Sequence, residues 1–270
     1  MPSRITTGGR QSWRGYDLLS VLTKLGQRDN LKLCLDAGDA ASYTSGQSWL
    51  DRSGNGYDFF LGADGSATAT DPTFNGTAGL LTSGEYFSFD GGDKFTYDTT
   101  NETWMQNIHK DGAKFTLAAW VNIPSTGVAC AIAATANSGT GIGFELRGTT
   151  SRAVQLIIGN GAGAALSIAG SNGDIGDAVW SFVAASVDEA VGSNGAFTYA
   201  NGVATLATST YASPSASNAD GTFTIGSEPD GGVPVPNLSR IGMFAAWEGR
   251  ALSAGELNAI YMATRDRFGV

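Results

Sequence analysis

The sequence has 270 residues, a net charge of −9 at neutral pH, and 42% hydrophobic residues. This hydrophobic content is enough for a packed core, which excludes an intrinsically disordered chain, and the length suits one large all-β domain. The negative charge repels nucleic acid phosphates and anionic lipid, so we expect neither a nucleic acid partner nor membrane insertion.

The start of the chain differs in charge from the rest. Residues 1–35 carry six basic and two acidic side chains, a charge of +4, so the remainder carries −13. Residues 16–25 have apolar side chains at a helical spacing, with Leu18, Val21, Leu22 and Leu25 on one face. This short helix either packs on its own domain or connects subunits. We expect residues 1–30 to be an arm for attachment or oligomerisation, and residues 31–270 to be the main domain.

The first residues also bear on where the protein is made. The segment MPSRITTGGRQSWRG contains no apolar stretch of the kind found in signal peptides. We therefore expect synthesis in a bacterial cytoplasm without a secretion signal.

From Leu31 onward the apolar period changes to two, which is typical of strands. In the segment Phe115–Val121, alternate residues share one apolar face, and Trp120 lies on the other. Cys34 and Cys130 lie in apolar runs, so we expect buried free thiols rather than a disulfide. The clearest predicted strands are Tyr86–Phe89, Phe115–Val121, Val128–Ala134, Gly143–Arg147, Val154–Ile158, Trp180–Val187, Phe197–Ala200, Phe223–Ile225 and Ser239–Ala246.

The chain ends with a predicted helix. Ser253 and Glu256 have the spacing of a capping box, and Leu257, Ile260 and Tyr261 form an apolar stripe behind it. With the strands, this pattern predicts two facing antiparallel sheets, a core that contains Trp120 and Trp180, and one helix near each end.

Five segments, taken in order, resemble the laminin G-like, concanavalin A-like jelly-roll family. They are LCLDAG (33–38) with WLDRSGNG (49–56), YFSFDGGDKF (86–95), FTLAAWV (115–121), WSFVAASVD (180–188) with YANGV (199–203), and IGS (225–227) with RIG (240–242) and RALS (250–253). The resemblance implies an all-β jelly-roll sandwich. It extends to virion structural proteins, head spikes or fibres, of tailed phages and gene transfer agents.

That resemblance implies a setting for the protein. It places the chain on the surface of a virion or phage-like particle, as a homo-oligomer that contacts other virion or capsid proteins through residues 1–30. The partner it implies for the jelly roll is a host-surface polysaccharide.

The sequence offers few residues for catalysis. His109 is its single histidine and lies in a polar stretch that we interpret as a solvated loop, which excludes paired-histidine metal sites. None of the seven glutamates fits the E-x-D-x-E strand pattern of jelly-roll glycosidases. Glu145 and Asp188 are the strand carboxylates worth considering, and a solvated strand face explains both. We therefore expect no catalytic residues and no enzyme.

Calcium is the one cofactor that the sequence suggests, although none is required. Asp90 and Asp93 in the turn 90–93 carry hard oxygen ligands and match a region that binds calcium in some relatives. The alternative is that both side chains shape the turn through bonds to backbone N–H groups.

Glycan binding needs an exposed aromatic ring beside polar groups that orient hydroxyls. The candidates are Tyr97, Trp104 and His109 after the strand 86–89, with Asp230 and Asn237 in the loop 227–238. Trp104 is the most informative, because its neighbours are polar; the alternative is that it packs beneath its own loop.

Three functions remain open from the sequence. The first is a non-catalytic module on a particle surface that binds host glycan. The second is a structural capsid decoration protein without a ligand, and the third is a glycan hydrolase whose carboxylate pair the sequence does not reveal.

Overall fold

A computed structural model describes residues 15–125, 127–206 and 209–270. These residues form two eight-stranded antiparallel sheets and three α-helices, which confirms the predicted all-β sandwich with a helix near each end. The elements are α1 (Leu18–Lys24), β1 (Leu31–Asp36), β2 (Ser48–Trp49), β3 (Phe59–Leu61), β4 (Thr73–Asn75), β5 (Tyr86–Ser88), β6 (Phe95–Tyr97), α2 (Thr103–Asn107), β7 (Lys114–Asn122), β8 (Cys130–Ala134), β9 (Gly143–Gly148), β10 (Val154–Gly159), β11 (Ala164–Ala169), β12 (Trp180–Asp188), β13 (Ala196–Ala200), β14 (Val203–Leu206), β15 (Thr224–Ile225), β16 (Arg240–Glu248) and α3 (Ala254–Phe268).

The two sheets differ in what covers them. The first sheet has the order β14-β13-β12-β7-β16-β5-β4, and β1 pairs with β16. The second sheet has the order β11-β10-β9-β8-β15-β6-β3-β2. The main core lies between them, whereas a second core lies between the outer face of the first sheet and the helices α1 and α3.

The central strand β7 illustrates why both faces of the first sheet are apolar. Phe115 and Leu117 join the core between the sheets, while Trp120 points to the helices. The Trp120 ring stacks on Phe268 of α3 with 4.4 Å between ring centroids, and its Nε1 donates a hydrogen bond to Thr264. Burial of Trp120 and of Trp180 confirms the predicted register. Cys34 and Cys130 are buried free thiols, as predicted.

The Asp36 carboxylate joins the two terminal helices to the sheet. Its Oδ2 accepts hydrogen bonds from the Leu18 backbone N–H at 2.8 Å and from Arg267 Nη1 at 2.9 Å, and its Oδ1 accepts from the Gly38 N–H. Asp36 and Arg267 are both buried as side chains, at 1% and 5% exposure. A Cβ atom at Gly38 would overlap the Arg267 guanidinium, so a larger residue here would push the guanidinium away from its present position.

The helix α1 packs on its own domain, which is the first of the two alternatives that the sequence left open. Asp17 caps its start, and Leu18, Val21 and Leu22 are buried. The helix within residues 15–30 therefore packs on the sheet, and the attachment role of residues 1–30 stays a prediction. Residues 1–14 lie outside the described residues.

Replacing Arg267 by Met is expected to lower the free energy of unfolding by about 3–5 kcal/mol, because it leaves the Asp36 charge buried without its partner. Urea denaturation measures the effect. Arg265→Met is the matched control on the same helix, since Arg265 makes exposed contacts with Val270, Met262 and the Tyr261 ring and has no buried ion pair, and its change should stay within about 0.5 kcal/mol. An equally small loss for Arg267→Met would show that the pair does not hold the helices.

Candidate functional site

The structure buries the three predicted members of the aromatic platform. Tyr97 is 3% exposed, Trp104 is 4% exposed, and His109 is fully buried. Rings that are buried in this way offer no face to a sugar, so the expectation of an exposed platform is corrected. The physical reason is that residues 103–107 form the short helix α2, which turns Trp104 inward against Tyr57 and Phe223.

His109 is not the solvated loop histidine that the sequence suggested. Its Nε2 lies 3.0 Å from the Ser217 carbonyl oxygen, and burial lowers the pKa of the ring. The histidine therefore fixes the segment around Ser217 against the end of α2 and has no access to solvent.

Asp90, Asp93 and Asn237 do come together, in a groove at the rim of the sandwich. The groove has a volume of about 340 Å³. It is lined by Thr68, Ala69, Asp71, Thr73, Ser88, Phe89, Asp90, Asp93, Asn237 and Leu238. Asp230, the remaining predicted residue, lies outside this lining and is exposed elsewhere on the loop 227–238.

The turn 90–93 uses its carboxylates to bind backbone N–H groups. Asp93 Oδ2 accepts from the Asp90 N–H at 2.8 Å, and Asp90 Oδ1 accepts from the Gly92 N–H at 2.9 Å. In the part of the chain that the structure describes, no cluster of three or more His, Cys, Asp and Glu side chains could hold a metal ion. A calcium ion at this turn would have to take most of its ligands from backbone oxygens and water, and calcium binding stays a prediction.

The groove concentrates negative charge. Asp71, Asp90 and Asp93 all line it, and no basic side chain is among its described lining residues. Burial raises the pKa of Asp93 to about 6, and the charges of Asp90 and Asp71 add to this effect. On the side of the groove formed by the loop 62–71, the Thr68 hydroxyl donates a hydrogen bond to Asp71 Oδ1 at 2.7 Å. This bond holds the Asp71 carboxylate in place.

Leu238 is the most unusual residue of the groove. Its backbone is in the left-handed region, with φ at 71°, and its side chain is 69% exposed. A bulky residue with this φ is an outlier that costs roughly 1–2 kcal/mol, and such strain is concentrated at functional sites. The backbone holds it there through a hydrogen bond from the Leu238 N–H to the Phe89 carbonyl oxygen at 2.9 Å.

Sequence reasoning missed Asp71, Thr68 and Leu238. The loop 62–71 carries no motif, and its closeness to the turn 90–93 arises from the pairing of β4 with β5. The signals that pointed to this region were the F-D-G-G-D segment and Asn237 in the loop 227–238.

Two carboxylates outside the groove are buried. Glu145 of β9 is fully buried, and Glu228 is 3% exposed, so the expectation of a solvated strand carboxylate at Glu145 is wrong. Glu145 Oε2 lies 3.3 Å from Arg147 Nη1. Asp188, in contrast, forms a surface ion pair with Lys114 at 2.7 Å.

Comparison with known proteins identifies the family. The model of the concanavalin A-like lectin/glucanases superfamily matches residues 90–258, more than half of the chain, so the protein belongs to this superfamily. No curated protein matches the sequence. Within the described ranges, no helix combines the length and apolar character needed to cross a membrane.

Solved structures share the fold at low sequence identity. The binding domain of botulinum neurotoxin DC in complex with SialylT has a TM-score of 0.60 and 13% identity, with 88% of this chain and 52% of that chain covered. The botulinum neurotoxin type G receptor binding domain has a TM-score of 0.55 and 17% identity over 86% and 51%. Trypanosoma rangeli sialidase in complex with 2,3-difluorosialic acid has a TM-score of 0.54 and 16% identity over 90% and 34%. The chain thus spans about half of the neurotoxin chains and a third of the sialidase chain.

The sialidases overturn the expectation that the chain is not an enzyme. That expectation took the jelly-roll fold as evidence for a binding module. The fold does not separate the two classes, because chains of enzymes contain it as well. At these identities the likeness shows the fold alone.

Replacing Trp104 by Ala is expected to lower the free energy of unfolding by about 3–5 kcal/mol, because the ring is buried. Urea denaturation measures the loss. Asp111→Ala, at an exposed position soon after α2, serves as the control and should change stability by less than about 0.5 kcal/mol. A Trp104→Ala protein with wild-type stability would contradict the burial and restore the exposed platform.

Proposed function

We propose that the protein binds a glycan in the rim groove. The observation that carries this proposal is Leu238, an exposed leucine whose backbone remains in a strained conformation beside three carboxylates. A sugar presents an apolar C–H face and a ring of hydroxyls. Leu238 offers a surface to the first, and the aspartates and threonines offer acceptors and donors to the second.

The charge of the groove favours neutral or amino-bearing sugars over anionic ones. Three aspartates without a basic partner in the lining accept hydroxyl protons and repel a sugar carboxylate. The neurotoxin binding domain was solved with SialylT and the sialidases with sialic acid derivatives, so this chain would use the shared fold for a different class of sugar.

We further propose that the module acts on the surface of a phage-like particle and recognises host-surface polysaccharide. The support is the order of the motifs across residues 31–270 and the basic charge of residues 1–35 beside an acidic body. A shallow groove binds one sugar weakly, so useful avidity requires several copies, which is the role of a homo-oligomer attached through residues 1–30.

Replacing Leu238 by Asn is expected to weaken binding to a neutral oligosaccharide roughly fivefold, which corresponds to about 1 kcal/mol of lost apolar contact. Stability should rise, because asparagine tolerates the left-handed backbone.

A glycan array followed by calorimetry on its best neutral ligand measures binding. Leu206→Asn, at an exposed leucine on the opposite edge of the first sheet, should leave binding unchanged. Equal binding by both variants, or preferential binding of sialylated glycans, would contradict the assignment.

Deleting residues 1–14 is expected to leave a folded domain that no longer joins the particle. Mass spectrometry of purified particles measures incorporation, and thermal melting of the free domain controls for folding. A truncated protein found in particles at the wild-type level would exclude the attachment role of these residues.

A further inference from the structure

A second pocket shares the end of the loop 227–238 with the glycan groove. Its lining includes Ser125, Val128, Thr149, Arg152 and Pro236. Arg152 is the one charged side chain among its described lining residues, whereas the charged side chains that line the groove are aspartates. The two neighbouring sites therefore have opposite charge.

The guanidinium of Arg152 has donors that the protein leaves without acceptors. Its Nη2 donates a hydrogen bond to the Ile175 carbonyl oxygen, while its Nε is buried and has no partner among the described residues. An N–H group that is buried without an acceptor costs free energy. A carboxylate supplies two acceptor oxygens in the planar geometry that a guanidinium matches.

The acidic side chains closest to this pocket along the chain are occupied by backbone N–H groups. Asp177 Oδ1 accepts a hydrogen bond from the Ser125 N–H at 2.7 Å, and Asp174 Oδ2 accepts from the Val154 N–H at 3.3 Å. Among the described residues, no carboxylate forms an ion pair with Arg152. The positive charge of Arg152 is therefore available to a ligand.

The backbone of Arg152 is in the left-handed region, with φ at 66°. The turn is held by a hydrogen bond from the Arg152 N–H to the Thr149 carbonyl oxygen at 2.8 Å, and by one from the Ile175 N–H to the Arg152 carbonyl oxygen at 3.0 Å. Asparagine adopts this conformation at a lower cost than arginine. The turn alone does not explain an arginine here, whereas a role for its side chain does.

The size of the pocket limits what can enter it. Its volume is about 20 Å³. This is room for roughly one or two water-sized atoms, which suits the two oxygens of a carboxylate but not a sugar ring. A ring attached to that carboxylate would stay outside, beside Pro236 and the 58% exposed side chain of Val128.

One turn connects the pocket to the groove. Pro236 lines the pocket, whereas Asn237 and Leu238 line the groove. The Ser239 N–H donates a hydrogen bond to the Pro236 carbonyl oxygen at 3.1 Å, which closes the turn. The Cα atoms of Pro236 and Leu238 are at most about 7 Å apart, because only one residue separates them. Adjacent units of one saccharide chain can therefore reach both sites.

We propose, resting on the proposed function, that Arg152 binds the carboxylate of a uronate unit adjacent to the neutral sugar in the groove. The ligand class is then a polysaccharide that contains both neutral and uronic acid units. A uronate carries its carboxylate at the edge of the ring, so this group enters a narrow pocket while the ring stays outside. In a sialic acid the carboxylate is on the carbon of the glycosidic bond, where the linked sugar crowds it.

A titration of the isotope-labelled wild-type protein tests the pocket with three probes, which are methyl glucuronide, methyl glucoside and sodium acetate. The signals to follow are the amides of Thr149 and Thr150 and the Nε–H of Arg152. Methyl glucuronide is expected to shift all three saturably, and methyl glucoside none of them. Acetate should bind roughly fivefold more weakly than the glucuronide, because it lacks the ring that contacts Pro236 and Val128.

Variants of Arg152 test whether the guanidinium is the group that binds. Arg152→Gln is expected to weaken the binding of methyl glucuronide roughly tenfold, and Arg152→Lys roughly threefold, because lysine keeps the charge but loses the planar fork. Arg28→Gln, at an exposed arginine that bonds the Ser53 carbonyl oxygen, removes the same charge outside the pocket. It should change the affinity by less than about twofold. Thermal melting shows whether each variant is folded, and Arg152→Lys carries the test if Arg152→Gln is not.

Three results would overturn the proposal. The first is the absence of saturable shifts at these signals with methyl glucuronide, or equal shifts with methyl glucoside. The second is an equal loss of affinity in Arg28→Gln and in the Arg152 variants. The third is binding of acetate as tightly as the glucuronide, which would make the pocket a site for a free small carboxylate and remove the uronate.

Failure of the groove proposal is distinguishable from failure of this one. If methyl glucuronide shifts the Arg152 signals while no neutral sugar shifts those of Thr68, Gly91 or Leu238, the pocket stands and the groove assignment falls. If a neutral sugar binds in the groove while no carboxylate reaches Arg152, the groove stands alone. If both bind, but a disaccharide of the two units binds no more tightly than its better half, the shared ligand is overturned.

Discussion

The ion pair between Asp36 and Arg267 determines which surfaces of this protein are free. It joins the first strand of the sandwich to the last helix, and the same carboxylate binds the first N–H of α1. A buried charge is costly unless it is paired, so both helices are held over the outer face of the first sheet. That face must then be apolar, which is why Trp120 and Phe182 occupy positions where a two-layer sandwich would have polar residues.

The first sheet is covered on one face by the second sheet and on the other by α1 and α3. Ligands and partners can therefore bind at the outer face of the second sheet or at the rim. The loops that connect the sheets, 62–71 and 227–238, meet the turn 90–93 at that rim. The second of these loops also carries Glu228, whose side chain is buried. One loop thus carries residues of the groove at one end and a buried carboxylate at the other.

The sequence predicted the sandwich because period-two strands, the Asn201-Gly202 turn and the Ser253 capping box depend on local chemistry. The sequence-based prediction was wrong where contacts between distant parts of the chain determine whether a side chain is buried. The polar residues around Trp104 indicated an exposed loop, but α2 turns the ring against Phe223, which is distant in sequence. The groove was predicted only in part: Asn237 was a glycan candidate, and Asp90 and Asp93 were candidates for calcium. Asp71 and Leu238 contribute through strand pairing and through a backbone φ that no residue pattern encodes.

The central claim is that the rim groove is the place where a neutral glycan binds, and amide chemical shifts test it most directly. Isotope-labelled protein would be titrated at pH 6 with a panel of neutral and N-acetylated oligosaccharides, with sialyllactose as the anionic counterpart. The account predicts saturable shifts at the amides of Thr68, Gly91 and Leu238 with at least one neutral sugar, and none with sialyllactose. Shifts confined to another surface, or saturable shifts at these amides only with the sialylated sugar, would contradict it.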